Sequence, residues 1–68
     1  MKITLNNRPE EFKGFDKLTV QQLIEKMNYT FKFLVTKVND NLIKKEEREK
    51  TFVYDGDEVA IIHLISGG

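Results

Sequence analysis

Only one stretch of this chain repeats its apolar residues at helical spacing. Thr19 and Gln22 form a Thr-x-x-Gln capping box, in which each side chain satisfies a backbone N–H that the first helical turn leaves free. Behind them Val20, Leu23, Ile24 and Met27 recur at i, i+3, i+4 and i+7, a single stripe, while Gln21, Gln22, Glu25 and Lys26 face water. Asn28 is a natural terminator. The remaining apolar residues alternate with polar ones or sit in short runs between turn residues, which is the pattern of strands. One helix covers one face of one small sheet, so the chain is expected to be an α+β domain of two layers.

The strands can be placed in order. Ile3 and Leu5 share one face of a half-buried strand over 2–6, and Asn6-Asn7 supplies a tight turn, because Asn tolerates a left-handed backbone. A return strand over 8–12 contains Pro9, which has no N–H for a ladder and therefore belongs at a sheet edge. Gly14 marks a turn before the helix. A further strand is predicted from Phe31 to Val38, its register open because Phe33, Leu34 and Val35 are consecutive and cannot share a face. Asn39-Asp40-Asn41 turns into a short strand at Leu42-Ile43. Lys44 to Lys50 is seven charged residues of mixed sign, expected to be a solvated loop or a single helical turn. Phe52-Val53-Tyr54 resumes the apolar pattern, and Asp55-Gly56-Asp57 turns the chain. Glu58 to Ile65 is the last strand, apolar enough to be central and covered on both faces. With the first and last strands side by side, this is a β-grasp arrangement: a mixed sheet of four to five strands on one main helix. The domain is expected over 1–65, with 66–68 as a flexible C-terminal tail.

With 68 residues and no Cys, the fold has neither disulfides nor thiolate metal sites and must be held by packing. Eleven basic residues balance eleven acidic ones, against the basic excess of a nucleic-acid binder or a polybasic membrane anchor. Apolar runs such as Ala60-Ile61-Ile62 are far short of a membrane span, and Met1 to Thr4 does not read as a signal peptide. A cytoplasmic protein is the expectation.

Groups for catalysis are scarce. His63 is the single imidazole, and within a strand it reads as a packed or half-exposed side chain sooner than as a base. Asp55-Gly56-Asp57 lacks the remaining ligands of a calcium loop, and no metal spacing of His, Asp and Glu is present. No cofactor is expected on this chain, and it is not expected to be an enzyme. The two glycines at 67 and 68 follow a strongly apolar strand. They suit a frayed end, and they equally suit a backbone that must enter a narrow channel, with the chemistry at the α-carboxylate of Gly68.

The whole chain resembles the sulfur-carrier proteins of the β-grasp, ubiquitin-like superfamily, and most of all the ThiS group, the carriers of thiamine thiazole synthesis. The resemblance rests on Met1-Lys2-Ile3-Thr4-Leu5-Asn6, on Thr19-Val20 with Leu23-Ile24, and on Val38-Asn39. Its most specific part is Asp55-Gly56-Asp57-Glu58-Val59, a short apolar strand and terminal Gly67-Gly68. Asn6-Asn7 and Asn39-Asp40 stand where the family often has Asn-Gly, and Lys45-Glu46-Glu47-Arg48 replaces an Arg-Ser-Glu-aromatic loop. Ser66 before the two glycines resembles the small subunit of molybdopterin synthase, where thiazole carriers often have another Gly, whereas the length and His63 before Leu64-Ile65 look more like the thiazole group.

The resemblance implies that a ThiF-like, E1-like enzyme adenylates Gly68 with ATP and Mg²⁺. Sulfur from a cysteine desulfurase or rhodanese-type donor then converts it to a thiocarboxylate for a ThiG-like thiazole synthase. Gly67 and Ser66 are then the tail that threads the partner's channel, and Ile62, Leu64, Ile65 and Phe52 the surface that docks. A molybdopterin-type carrier, a ubiquitin-like modifier and a plain interaction domain stay open as alternatives.

Overall fold

A computed structural model of the chain describes residues 1–64. The expectations placed on Ile65, Ser66, Gly67 and Gly68, including the flexible tail, lie outside the described residues. Strands β1 (Lys2–Leu5) and β2 (Arg8–Glu11) form the first hairpin, and β3 (Lys17–Thr19) leads into helix α1 (Val20–Lys26). β4 (Leu34–Val38) and β5 (Asn41–Ile43) make a second hairpin; a 3₁₀ turn at Lys45–Glu47, β6 (Phe52–Tyr54) and β7 (Glu58–His63) follow. The main sheet has five strands in the order β2-β1-β7-β4-β5. β1 and β7 run parallel side by side, and every other neighbour is antiparallel. This is the expected α+β mixed sheet, with Pro9 on the edge strand β2.

Local chemistry explains the joints. Both hairpins turn on two residues with left-handed backbone, Asn6 and Asn7 (φ 51° and 66°) and Asn39 and Asp40 (φ 49° and 68°), the primed turn whose twist matches paired strands. At the start of α1 the Thr19 hydroxyl accepts from Gln22 N–H at 3.0 Å, and the Gln22 carboxamide accepts from Thr19 N–H at 2.8 Å. At its end Asn28 adopts φ 58°, its N–H donating to the Glu25 carbonyl and that of Tyr29 to the Ile24 carbonyl, a Schellman closure that satisfies these two end carbonyls.

The helix stripe, the inner face of the sheet and the ribbon formed by β3 and β6 enclose one core: Ile3, Leu5, Leu18, Val20, Leu23, Ile24, Val38, Val53, Val59 and Ile61. Met27, at the end of the stripe, caps the helix and only packs against this core.

Three sequence expectations are corrected, and one pair of strands is new. β7 is central but not covered on both faces: Ile62 is 47% and Leu64 49% exposed, because seven residues of helix cover only the side that buries Val59 and Ile61. The third long strand begins at Leu34, not Phe31. Neither β3 nor β6 is legible in the sequence: three residues each, too short to show a period, they pair with each other and with no strand of the main sheet. The charged segment makes the single helical turn, one of its two expected forms, at Lys45–Glu47, but it is not solvated throughout. Arg48 is half-buried, with Nε donating to the Thr36 hydroxyl at 3.1 Å and Nη2 to the Leu34 carbonyl.

Candidate docking face and tail-bearing strand

Alternation along β7 assigns each side chain to a face. Val59 and Ile61 point into the core; Ala60, Ile62 and Leu64 point away from the helix. Cross-strand partners share a face, so the register continues this outer surface: Val35 stands opposite Ile62, Lys37 opposite Ala60, and Leu42 opposite Lys37. One step beyond the ladder, the Leu64 N–H donates to the Phe33 carbonyl at 3.0 Å and sets those two residues opposite each other. Phe33, Leu42, Ile62 and Leu64 are all about half exposed. An apolar group of this kind, contiguous on a sheet face, marks an interaction surface more often than scattered single residues do. At the other end of this face small Ala60 leaves a groove of about 430 Å³, bordered by Asn6, Asn7, Lys37 and Glu58.

Ile62 and Leu64, both expected to dock, lie together on this face. Phe52 does not join them through the sheet: it sits on β6, under the Lys17 ammonium at 4.4 Å and 6.5 Å from the Tyr54 ring. Ile65, Ser66, Gly67 and Gly68 are outside the described residues. Phe33, Val35 and Leu42 were not anticipated as part of this surface. The run Phe33-Leu34-Val35 conceals its faces until the pairing of Val35 with Ile62 is known.

His63 is exposed and stacks on Phe31, with ring centroids 3.8 Å apart and planes at 18°. Tyr29 extends this aromatic group, its ring 6.3 Å from Phe31. Among the described residues no hydrogen bond orients the imidazole as a base, and no three of His, Cys, Asp and Glu come together as metal ligands. None of the described helices is long and apolar enough to cross a membrane. The arrangement presents an apolar sheet face and, at its margin, a central strand leading toward residue 68.

The sequence profile of the ThiS family matches residues 3–68. The crystal structure of a thiamine biosynthesis protein (ThiS) from Geobacter metallireducens is similar over the full length of both chains, at 26% identity and a TM-score of 0.89. The solution structure of the same Geobacter metallireducens protein matches all of this chain and 88% of its own, at 26% identity and a TM-score of 0.81. No curated protein sequence gives a significant match.

Proposed function

The chain belongs to the ThiS family, and from that premise we propose that it is a sulfur carrier of thiamine thiazole synthesis whose reactive group is the α-carboxylate of Gly68. The observation that carries this reading is the family match running through Gly67 and Gly68, supported by one structural relative, solved both in the crystal and in solution and described as a thiamine biosynthesis protein.

A carboxylate is ionised at neutral pH and repels nucleophiles. Attack of its oxygen on the α-phosphorus of ATP, with Mg²⁺ held by an E1-like partner, expels pyrophosphate and turns the carboxylate into an acyl adenylate. The terminal sulfur of a donor persulfide then displaces AMP, and thiol cleavage of the resulting S–S bond leaves a thiocarboxylate, a better nucleophile at neutral pH than the oxygen form. The carrier's own part is to dock and to deliver. Ile62 and Leu64 with Phe33, Val35 and Leu42 offer an apolar face to the activating enzyme and then to a thiazole synthase. Gly67, lacking Cβ, lets the backbone pass a narrow channel.

In the organism of origin, deletion of the Gly68 codon is expected to cause a growth requirement for the thiazole moiety and to leave molybdenum-cofactor enzymes active. Growth without thiazole, or loss of the molybdoenzymes alone, refutes the assignment.

A further inference from the structure

β7 is supported unequally by its two neighbours. On one side β4 pairs with it from Val38↔Val59 to Leu34↔His63. On the other, β1 pairs only at Thr4↔Glu58 and Leu5↔Val59 before the chain turns away into β2. The Glu58 and Leu64 backbones bond toward β4, so the odd-numbered residues of β7 direct their backbone groups toward the β1 side. Val59 finds its partner there in the Asn6 N–H at 2.9 Å. Ile61, one step further, has no backbone opposite it, and both its groups bond to the Asn6 side chain. The carboxamide oxygen accepts from Ile61 N–H at 2.8 Å, and the amide nitrogen donates to the Ile61 carbonyl at 3.1 Å. The carboxamide reproduces the donor and acceptor of the missing strand residue.

Asn39 is its counterpart at the root of β7. Its carboxamide oxygen accepts from Glu58 N–H at 3.0 Å, and its nitrogen donates to the Asp57 carboxylate at 3.1 Å. Both asparagines have left-handed backbone, where glycine is accommodated at no steric cost. What asparagine adds at these turns is the side chain, and both side chains are spent on β7.

We propose that Asn6 is a positioning residue for the reaction at Gly68: by holding both backbone groups of Ile61 it fixes, on the β1 side, the stretch of β7 from which the chain continues to Gly68. This role rests on the sulfur-carrier reading. Each residue released from a fixed conformation widens the ensemble that must be narrowed before Gly68 reaches the nucleotide, so loss of the clamp lowers the rate of the chemical step. Ile62 and Leu64 keep their partners on the β4 side, Val35 and Phe33, so the outer face still docks.

Asn6→Gly keeps the turn conformation and deletes the carboxamide; Asn39→Gly does the same at the root of the strand. The assays are amide hydrogen exchange and ATP–pyrophosphate exchange by the cognate adenylating enzyme. In Asn6→Gly, exchange at Ile61 is expected to rise about tenfold with Leu23 and Val53 unaffected, and kcat to fall about tenfold with KM unchanged. Asn6→Asp, which keeps the acceptor and loses the donor, falls between. Asn39→Gly speeds exchange at Glu58 and leaves kcat alone. The positioning role is overturned by a wild-type kcat in Asn6→Gly, by a change in KM only, or by an equal loss of kcat in Asn39→Gly, which marks general destabilisation. A wild-type protein that supports no pyrophosphate exchange overturns the carrier reading itself.

Discussion

Replacing Arg48 with alanine separates a structural clasp from a solvated charge. The guanidinium donates from Nε to the Thr36 hydroxyl at 3.1 Å and from Nη2 to the Leu34 carbonyl, both on β4. Thr36 is fully buried, and its own hydroxyl donates to the Ile43 carbonyl at 2.6 Å, so the bonds run in series across β4 and β5. A hydrogen bond from a charged donor contributes about 1.5–3 kcal/mol. The second, to a neutral hydroxyl, adds roughly 1 kcal/mol, and water recovers part of the loss because Arg48 is only half-buried. The expected destabilisation is therefore about 2–3 kcal/mol, a large share of the ~3–10 kcal/mol typical for a chain of this size. With a urea m-value of about 1 kcal/mol per molar, the unfolding midpoint drops by about 2–3 M. Arg48→Lys keeps the charge without the fixed fork of donors and is expected to recover less than half of the loss. An Arg48→Ala midpoint within about 0.5 M of wild type refutes the clasp and returns the segment to the solvated loop its composition suggests.

Ile62→Asp should cost only about 1 kcal/mol of stability while weakening capture by the adenylating enzyme by about thirtyfold or more in a binding titration. Ile61→Asp, by contrast, should abolish the circular-dichroism signature of the fold, since Ile61 is 4% exposed; equal effects of the two contradict the face assignment. Gly56→Ala adds a Cβ that meets nothing within 4 Å, but at φ +88°, so urea unfolding should report backbone strain of about 1–2 kcal/mol and no change in docking. Thr19→Ala removes half of the capping box and should lower stability by about 1 kcal/mol in the same assay, with Thr19→Ser close to wild type.

The parts of this fold legible in the sequence are those in which local chemistry and tertiary packing agree. The Thr19–Gln22 box, the Val20-Leu23-Ile24 stripe and the two asparagine turns each state their own structure, and Pro9 states its place at an edge. Partnership between distant segments was harder to read. β3 and β6 are three residues each, and their central pair, Leu18 and Val53, meets in the core. The continuous apolar run of β7 suggests burial on both faces; what decides is the supply of covering elements, and a single helix leaves the face of Ile62 bare. Arg48 was hidden among lysines and glutamates of similar hydropathy, and its role depends on the position of Thr36, twelve residues away. At the docking face, Ile62 and Leu64 follow from alternation alone, whereas Phe33, Val35 and Leu42 require the register of β4.

The proposal centres on Gly68 as the reactive residue, and the mass of the intact protein tests it most directly. Wild type, Gly67→Val and a Gly68 deletion are each incubated with the cognate adenylating enzyme, ATP, Mg²⁺ and a sulfur donor. Wild type should gain the mass difference between sulfur and oxygen, confined to the C-terminal peptide. Gly67→Val should keep the wild-type circular-dichroism spectrum and gain nothing, because a branched side chain obstructs a channel shaped for bare backbone; the deletion should also gain nothing. An unchanged wild-type mass, or sulfur found on the truncated chain, contradicts the account.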